Sequence, residues 1–190
     1  MPPPSGADRG FRFVDERERW HGPFLRLTSG TFVDPTGFTF ERDIVRHPGA
    51  VCIVPVEPDG ETYLMVRQYR APLDALVLEF PAGKLDVPGE KPETAAQREL
   101  EEEVGRSAGS LVHLGDFVNS PGFTDELTHC YLGTELRPVA QELQGVEEQH
   151  LEVVAVKIAH VWEMVASGEL IDAKTIIAMT LAERHLASIS

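Results

Sequence analysis

The segment Arg98-Glu99-Leu100-Glu101-Glu102-Glu103-Val104-Gly105 holds the most concentrated chemistry of this 190-residue chain. On an α-helix turning about 100° per residue, Glu99, Glu102 and Glu103 fall within an arc of roughly 100°, while Glu101 points to another side. Carboxylates at i, i+3 and i+4 repel one another, so three on one face cost stability unless a cation sits among them. A donor set made only of hard oxygens selects Mg²⁺ or Mn²⁺ over softer metals. Arg98 stands four residues before Glu102, where it can pair with that carboxylate and hold its rotamer. A glutamate run is also what an ordinary solvated helix face looks like, so the surroundings have to decide.

Those surroundings describe a helix that must be docked. Pro92 suits a first helical turn, Glu90 and Glu93 lie near its positive end, and Gly105 can form its stop, which predicts a helix over 92–104. Ala95, Ala96, Leu100 and Val104 give it a narrow apolar stripe to set against a sheet. Strand-like runs flank it at 50–56, 62–66, 76–80, 111–118, 127–132 and 151–158. Two further helices are expected, over 159–167 before Gly168 and over 173–186 after Asp172. Strands, helix, strands and helices in that order predict a mixed α/β (α+β) fold with a sheet between helices. Ahead of it, Phe24-Leu25-Arg26-Leu27 and Phe38-Thr39-Phe40-Glu41 alternate about the turn Asp34-Pro35-Thr36-Gly37, as in a small antiparallel sheet. The expected division is a disordered Pro/Gly-rich tail at 1–10, an N-terminal β subdomain at 11–46, and the main domain at 47–190.

Composition narrows the function. With 42% hydrophobic residues the chain can bury one substantial core. A net charge of −14 and a pI near 4.8 leave no basic stripe for nucleic acid or an anionic membrane, and an anionic substrate would need metal ions to approach. Cys52 and Cys130 lie in apolar runs and read as buried free thiols of a reducing compartment. No apolar stretch approaches the roughly 18 residues of a spanning helix, and the N-terminus lacks a hydrophobic signal region, so a cytoplasmic protein is expected. The seven histidines are scattered at unrelated spacings and suggest no metal set. No serine or cysteine sits in a nucleophile elbow.

Gly83, Glu90, Arg98, Glu99, Leu100, Glu102, Glu103 and Gly105 together resemble the signature of the Nudix hydrolases. Six residues separate Gly83 from Glu90 where the family has five, and Arg106 stands where an aliphatic residue is usual; the first implies a bulged turn, the second lies beyond the helix. His47-Pro48-Gly49-Ala50-Val51, Val66-Arg67-Gln68-Tyr69-Arg70, Glu79-Phe80-Pro81-Ala82-Gly83 and Ser120-Pro121-Gly122-Phe123-Thr124-Asp125-Glu126 resemble the ADP-ribose pyrophosphatase branch, including a proline sixteen residues past Gly105.

The resemblance implies an α/β/α sandwich, a homodimer built through the N-terminal strands, and metal-dependent hydrolysis of ADP-ribose to AMP and ribose 5-phosphate. It implies Glu99 and Glu103 as principal ligands of Mg²⁺ or Mn²⁺, with Glu102 and the backbone carbonyl of Ala82 completing the set. The general base is expected on the loop before the last strand. Glu148 falls there if one extra residue is counted, and Gln149, which cannot act as a base, falls there if it is not. Arg67 and Arg70 offer planar forks to phosphates. Glu126 suits ribose hydroxyls, Phe123 a stacked ring, and Glu79 the substrate base. Other nucleoside diphosphate sugars, such as GDP-mannose or ADP-glucose, and oxidised nucleotides are alternative substrates. A non-catalytic ADP-ribose-binding module is a different class of reading, against which the intact glutamates argue.

Overall fold

A computed structural model describes residues 5–141, 143 and 148–189. Contacts divide the chain into two units, Met1–Pro48 with Val118–Leu127, and Gly49–Phe117 with Thr128–Ser190.

The first unit is an antiparallel sheet of β1 (Arg12–His21), β2 (Arg26–Val33) and β3 (Thr39–Arg46), in that order. The turn between β2 and β3 falls on the predicted tetrapeptide. Asp34 Oδ1 accepts from the N–H groups of Thr36 and Phe38 at 2.8 and 2.9 Å, and Gly37 takes a φ of 90° that a side chain would oppose. Strand β1 is not foreshadowed by alternation, because all ten of its residues are exposed and most are charged. Backbone pairing to β2 holds it, and charges on an outer strand discourage edge-to-edge association. Ser5 to Gly10 carry a 3₁₀ turn over Gly6–Arg9 where a disordered tail is expected. Segment 118–127, assigned from sequence to the main domain, joins this unit through hydrogen bonds to its backbone: Val45 N–H donates to Phe123 O at 2.8 Å, and Asp125 Oδ1 accepts from His47 N–H at 2.9 Å.

The second unit is an α/β/α sandwich. One sheet runs β7 (Ala82–Lys84), β4 (Ala50–Pro55), β9 (Leu127–Pro138), β8 (Arg106–Val118), and the other β10 (Glu152–Lys157), β5 (Thr62–Arg70), β6 (Ala75–Glu79). Strand β4 pairs antiparallel with β7 and parallel with β9, so the sheet is mixed. Every residue of β4 is buried, as an unbroken apolar run requires of a strand covered on both faces. Its side chains alternate between two cores. Val51 and Ile53 pack with Ala95, Ala96, Leu100 and Val104 of α1 (Pro92–Val104). Cys52 and Val54 pack with Ala178, Met179 and Ala182 of α3 (Ala173–Ile189). A third helix, α2 (Val161–Ser167), ends at Gly168 in the left-handed region. Burying a side chain such as Leu100 contributes about 1.5–3 kcal/mol, so both helices are held by packing more than by propensity. Burial also pushes both thiols up, Cys130 to about 12, which leaves them protonated at neutral pH.

The Arg46 fork clamps the first unit. Its Nε and Nη2 donate to Glu16 at 2.9 and 2.7 Å, and Nη1 donates to Asp125 at 2.9 Å. Hydrogen bonds from Arg46 and then Thr28 hold the Glu16 carboxyl down at about 2, against an ordinary 4.5. A depressed folded-state value stabilises fully above the ordinary value, and that contribution fades as pH falls towards 2. Glu16→Gln is therefore expected to lower Tm at neutral pH and to melt with the wild type near pH 2, as followed by circular dichroism across that range.

Candidate active site

Position 83 determines how close α1 comes to the sheet edge. A Cβ placed on Gly83 would lie 1.9 Å from Glu99 Cδ, so only glycine lets this carboxylate lie over β7. One turn further on, Glu103 Oε2 accepts from Ala82 N–H at 3.0 Å. Both glutamates are buried, Glu99 at 8% and Glu103 at 3% exposure, where unpartnered carboxylates are costly. Arg98 is the local counter-charge. It donates from Nε and Nη2 to Glu90 at 3.1 and 3.0 Å, and from Nη1 to Glu99 at 2.7 Å and Glu102 at 3.1 Å. The bond to Glu90, opposing the cost of burial, holds the guanidinium firmly protonated. Glu90, Glu99 and Glu102 thus share one cation, and Glu103 adds a further negative charge beside them. A converging, partly buried, all-oxygen group with excess negative charge fits a hard divalent cation.

A second ion network lies at the start of α3. Arg70 forms a two-pronged bridge to Glu79, both bonds at 2.7 Å, and Lys174 approaches Glu79 at 3.4 Å and Asp172 at 2.8 Å. Asp172 Oδ2 accepts from Thr175 N–H and Oγ1, and Thr175 Oγ1 accepts in turn from Phe80 N–H at 2.9 Å. Arg70 and Glu79 are thus each other's partners in this structure. The Glu79 side chain is only 2% exposed, and a buried carboxylate of that kind must be paired. Of the two partners of Lys174, Asp172 is two residues away and Glu79 is 95, so only the first is a local feature of the sequence.

A NUDIX domain model matches residues 45–178, well over half of the chain. The chain belongs to the Nudix family. It is 42% identical over 145 residues to an ADP-ribose pyrophosphatase of Bacillus subtilis (strain 168), covering 76% of this chain and 77% of that protein. It is 36% identical over 166 residues to an ADP-ribose pyrophosphatase of Mycobacterium tuberculosis (strain ATCC 25618 / H37Rv), covering 87% and 80%. A solved structure described as an ADP compounds hydrolase shares the fold with a TM-score of 0.82 at 22% identity, over 95% of this chain and 96% of that one.

In this Nudix chain the segment before Glu90 bends at Gly89, whose φ is 79°. Arg106, the other departure, turns away to Glu57 at 3.3 Å. Arg67 lies on β5 and reaches Glu152 at 3.1 Å, with a third of its side chain exposed. Phe123 and Glu126 belong to the first unit. Phe123 is 58% exposed and lines a cavity of about 360 Å³ there with Phe32, Phe40 and Arg42. The backbone of Glu148–His150 forms a 3₁₀ turn immediately before β10. The Glu148 side chain lies outside the described residues, as does Glu147.

Gly83→Ala tests the close approach. The clashing atoms are the far end of a flexible side chain, so the fold should survive with Tm lowered by at most a few degrees. Displacing Glu99 should weaken Mg²⁺ half-saturation by about tenfold or more, read from metal titrations of activity. An unchanged half-saturation would contradict the role given to this contact.

Proposed function

We propose that this Nudix protein is a Mg²⁺-dependent ADP-ribose diphosphatase that converts ADP-ribose and water to AMP and ribose 5-phosphate. The observation that carries the reading is the gathering of Glu90, Glu99 and Glu102 about Arg98, with Glu103 anchored on Ala82 N–H. Glu99, Glu102, Glu103 and the Ala82 carbonyl are the proposed metal-holding groups, with Mn²⁺ as an alternative ion. A divalent cation bound there supplies a more acidic water and counter-charge for the diphosphate.

The remaining roles belong to side chains. Arg98 keeps three carboxylates in place, so that their spacing does not relax when they repel. Arg67 is the proposed phosphate contact, since its bond to Glu152, 65% exposed, is a weak one to exchange. Arg70 and Glu79, bridged to each other, are proposed to reach the phosphates and the substrate base. Glu148 is the proposed base, which takes a proton from the attacking water. Phe123 and Glu126 are proposed to meet the nucleoside and ribose. We also propose a cytoplasmic homodimer formed through the N-terminal sheet, where Phe11, Phe13, Trp20 and Phe38 are each at least 45% exposed. Among the described residues no helix is long and apolar enough to cross a membrane.

Product analysis on ADP-ribose, ADP-glucose, GDP-mannose and NADH, with Mg²⁺ and with chelator, tests the reading. AMP and ribose 5-phosphate are expected, fastest from ADP-ribose and absent with chelator. Faster turnover of another substrate would keep the chemistry and replace the substrate. ADP-ribose binding without turnover would favour a binding module. Arg67→Ala is expected to raise KM about tenfold or more at unchanged Mg²⁺ half-saturation. Glu148→Gln is expected to lower kcat by about 10²–10⁴-fold.

A further inference from the structure

We propose that His113, Asp116 and His129 form a second metal site, for a transition-metal ion of the Zn²⁺ class, separate from the carboxylate site on α1. The histidines are scattered in sequence, yet the pairing of β8 with β9 brings two of them to one carboxylate. His113 Nε2 and His129 Nδ1 each lie 2.7 Å from Asp116 Oδ1, and the three potential ligand atoms all fall within 4.8 Å of one another. The two rings stand at a centroid distance of 6.4 Å, and His113 also rests against Tyr131 at 5.3 Å. These contacts aim a nitrogen of each ring at a common point.

The donor chemistry separates this site from the one on α1. Two imidazoles and one carboxylate suit Zn²⁺, Ni²⁺ or Co²⁺, whereas Mg²⁺ prefers oxygen and holds its waters. Three protein ligands leave further positions open, and solvent can supply them, since the His113 and Asp116 side chains are 48% and 41% exposed. A metal needs about 2.0–2.2 Å to each ligand, so Asp116 has to swing back from the two nitrogens it now touches. Its exposure leaves room for that. His129 is the least mobile ligand, at 22% exposure.

The position is defined by register. His129 pairs with Val51 of β4, and Val51 with Gly83 of β7, so the three share one row of the sheet. Two strand spacings, about 10 Å, separate His129 from Gly83 in that row. An ion bridging His113 and Asp116 to His129 would pin β8 to β9 beside α1 without using any of its glutamates.

Zinc binding by the full-length chain decides the matter, measured by equilibrium dialysis and calorimetry with millimolar Mg²⁺ present throughout. The proposal predicts a Zn²⁺ equivalent that persists in Glu99→Gln and weakens by about tenfold or more in both His113→Ala and His129→Ala. Co²⁺ in place of Zn²⁺ should give visible absorption bands that the same two substitutions abolish. Circular dichroism checks that each variant is folded, and Asp116→Asn, which keeps volume and one acceptor, covers the case of a histidine variant that is not. Zinc binding absent from the wild type, or indifferent to all three substitutions, would overturn the proposal and leave Asp116 as an acceptor bridging two imidazoles.

Discussion

The second unit depends on a close approach between a charged helix and a sheet edge. Helix α1 reaches β7 because position 83 has no Cβ and because Ala95 and Ala96, both at 0% exposure, are small on its docking face. That proximity sets Glu99 over the strand and Glu103 against the Ala82 amide. Four acidic side chains then crowd one another, at a cost of a few tenths of a kcal/mol per exposed like-charge pair and more where water is excluded. Burial of Leu100 and Val104 offsets the cost, and Arg98 shares its donors among three of the carboxylates. Helix and sheet stability is thereby spent on keeping negative charge together, the arrangement that a cation site demands.

Charge at a larger scale points the same way. With a net charge of −14, the chain repels anionic ligands except where cations are placed for them. Arg70 and Lys174 are committed to Glu79 and Asp172, and Arg98 to its glutamates. Arg67, on an exposed bridge, is the more available donor of this group. The proposed substrate contacts therefore rest first on a divalent ion and on Arg67.

The sequence made legible what is local. Pro92 and Gly105 bound α1 because a missing N–H and a left-handed stop are properties of single residues. The apolar run at β4 announced a strand, and Asp34 to Gly37 announced the turn between β2 and β3. What could not be read was pairing at long range. Strand β1 has no alternation to display, since no side chain of it is buried. The pairing of Arg70 with Glu79 was likewise invisible, because a sequence shows donor and acceptor types but not which of them meet. His113 and His129 looked scattered because their proximity comes from β8 lying beside β9, and not from any spacing along the chain.

If crowded carboxylates on α1 are held for a cation, removing one should relax the apo protein and cost it its response to metal. Thermal melting of wild type and Glu99→Gln, each across a Mg²⁺ titration, measures both at once. The account predicts that the variant without metal is at least as stable as the wild type. At Mg²⁺ a hundred times its dissociation constant, the wild type should gain about 2.7 kcal/mol, or roughly 5–10 °C in Tm, while the variant gains little at the same concentration. Equal stabilisation of both proteins, or none of the wild type, would contradict it.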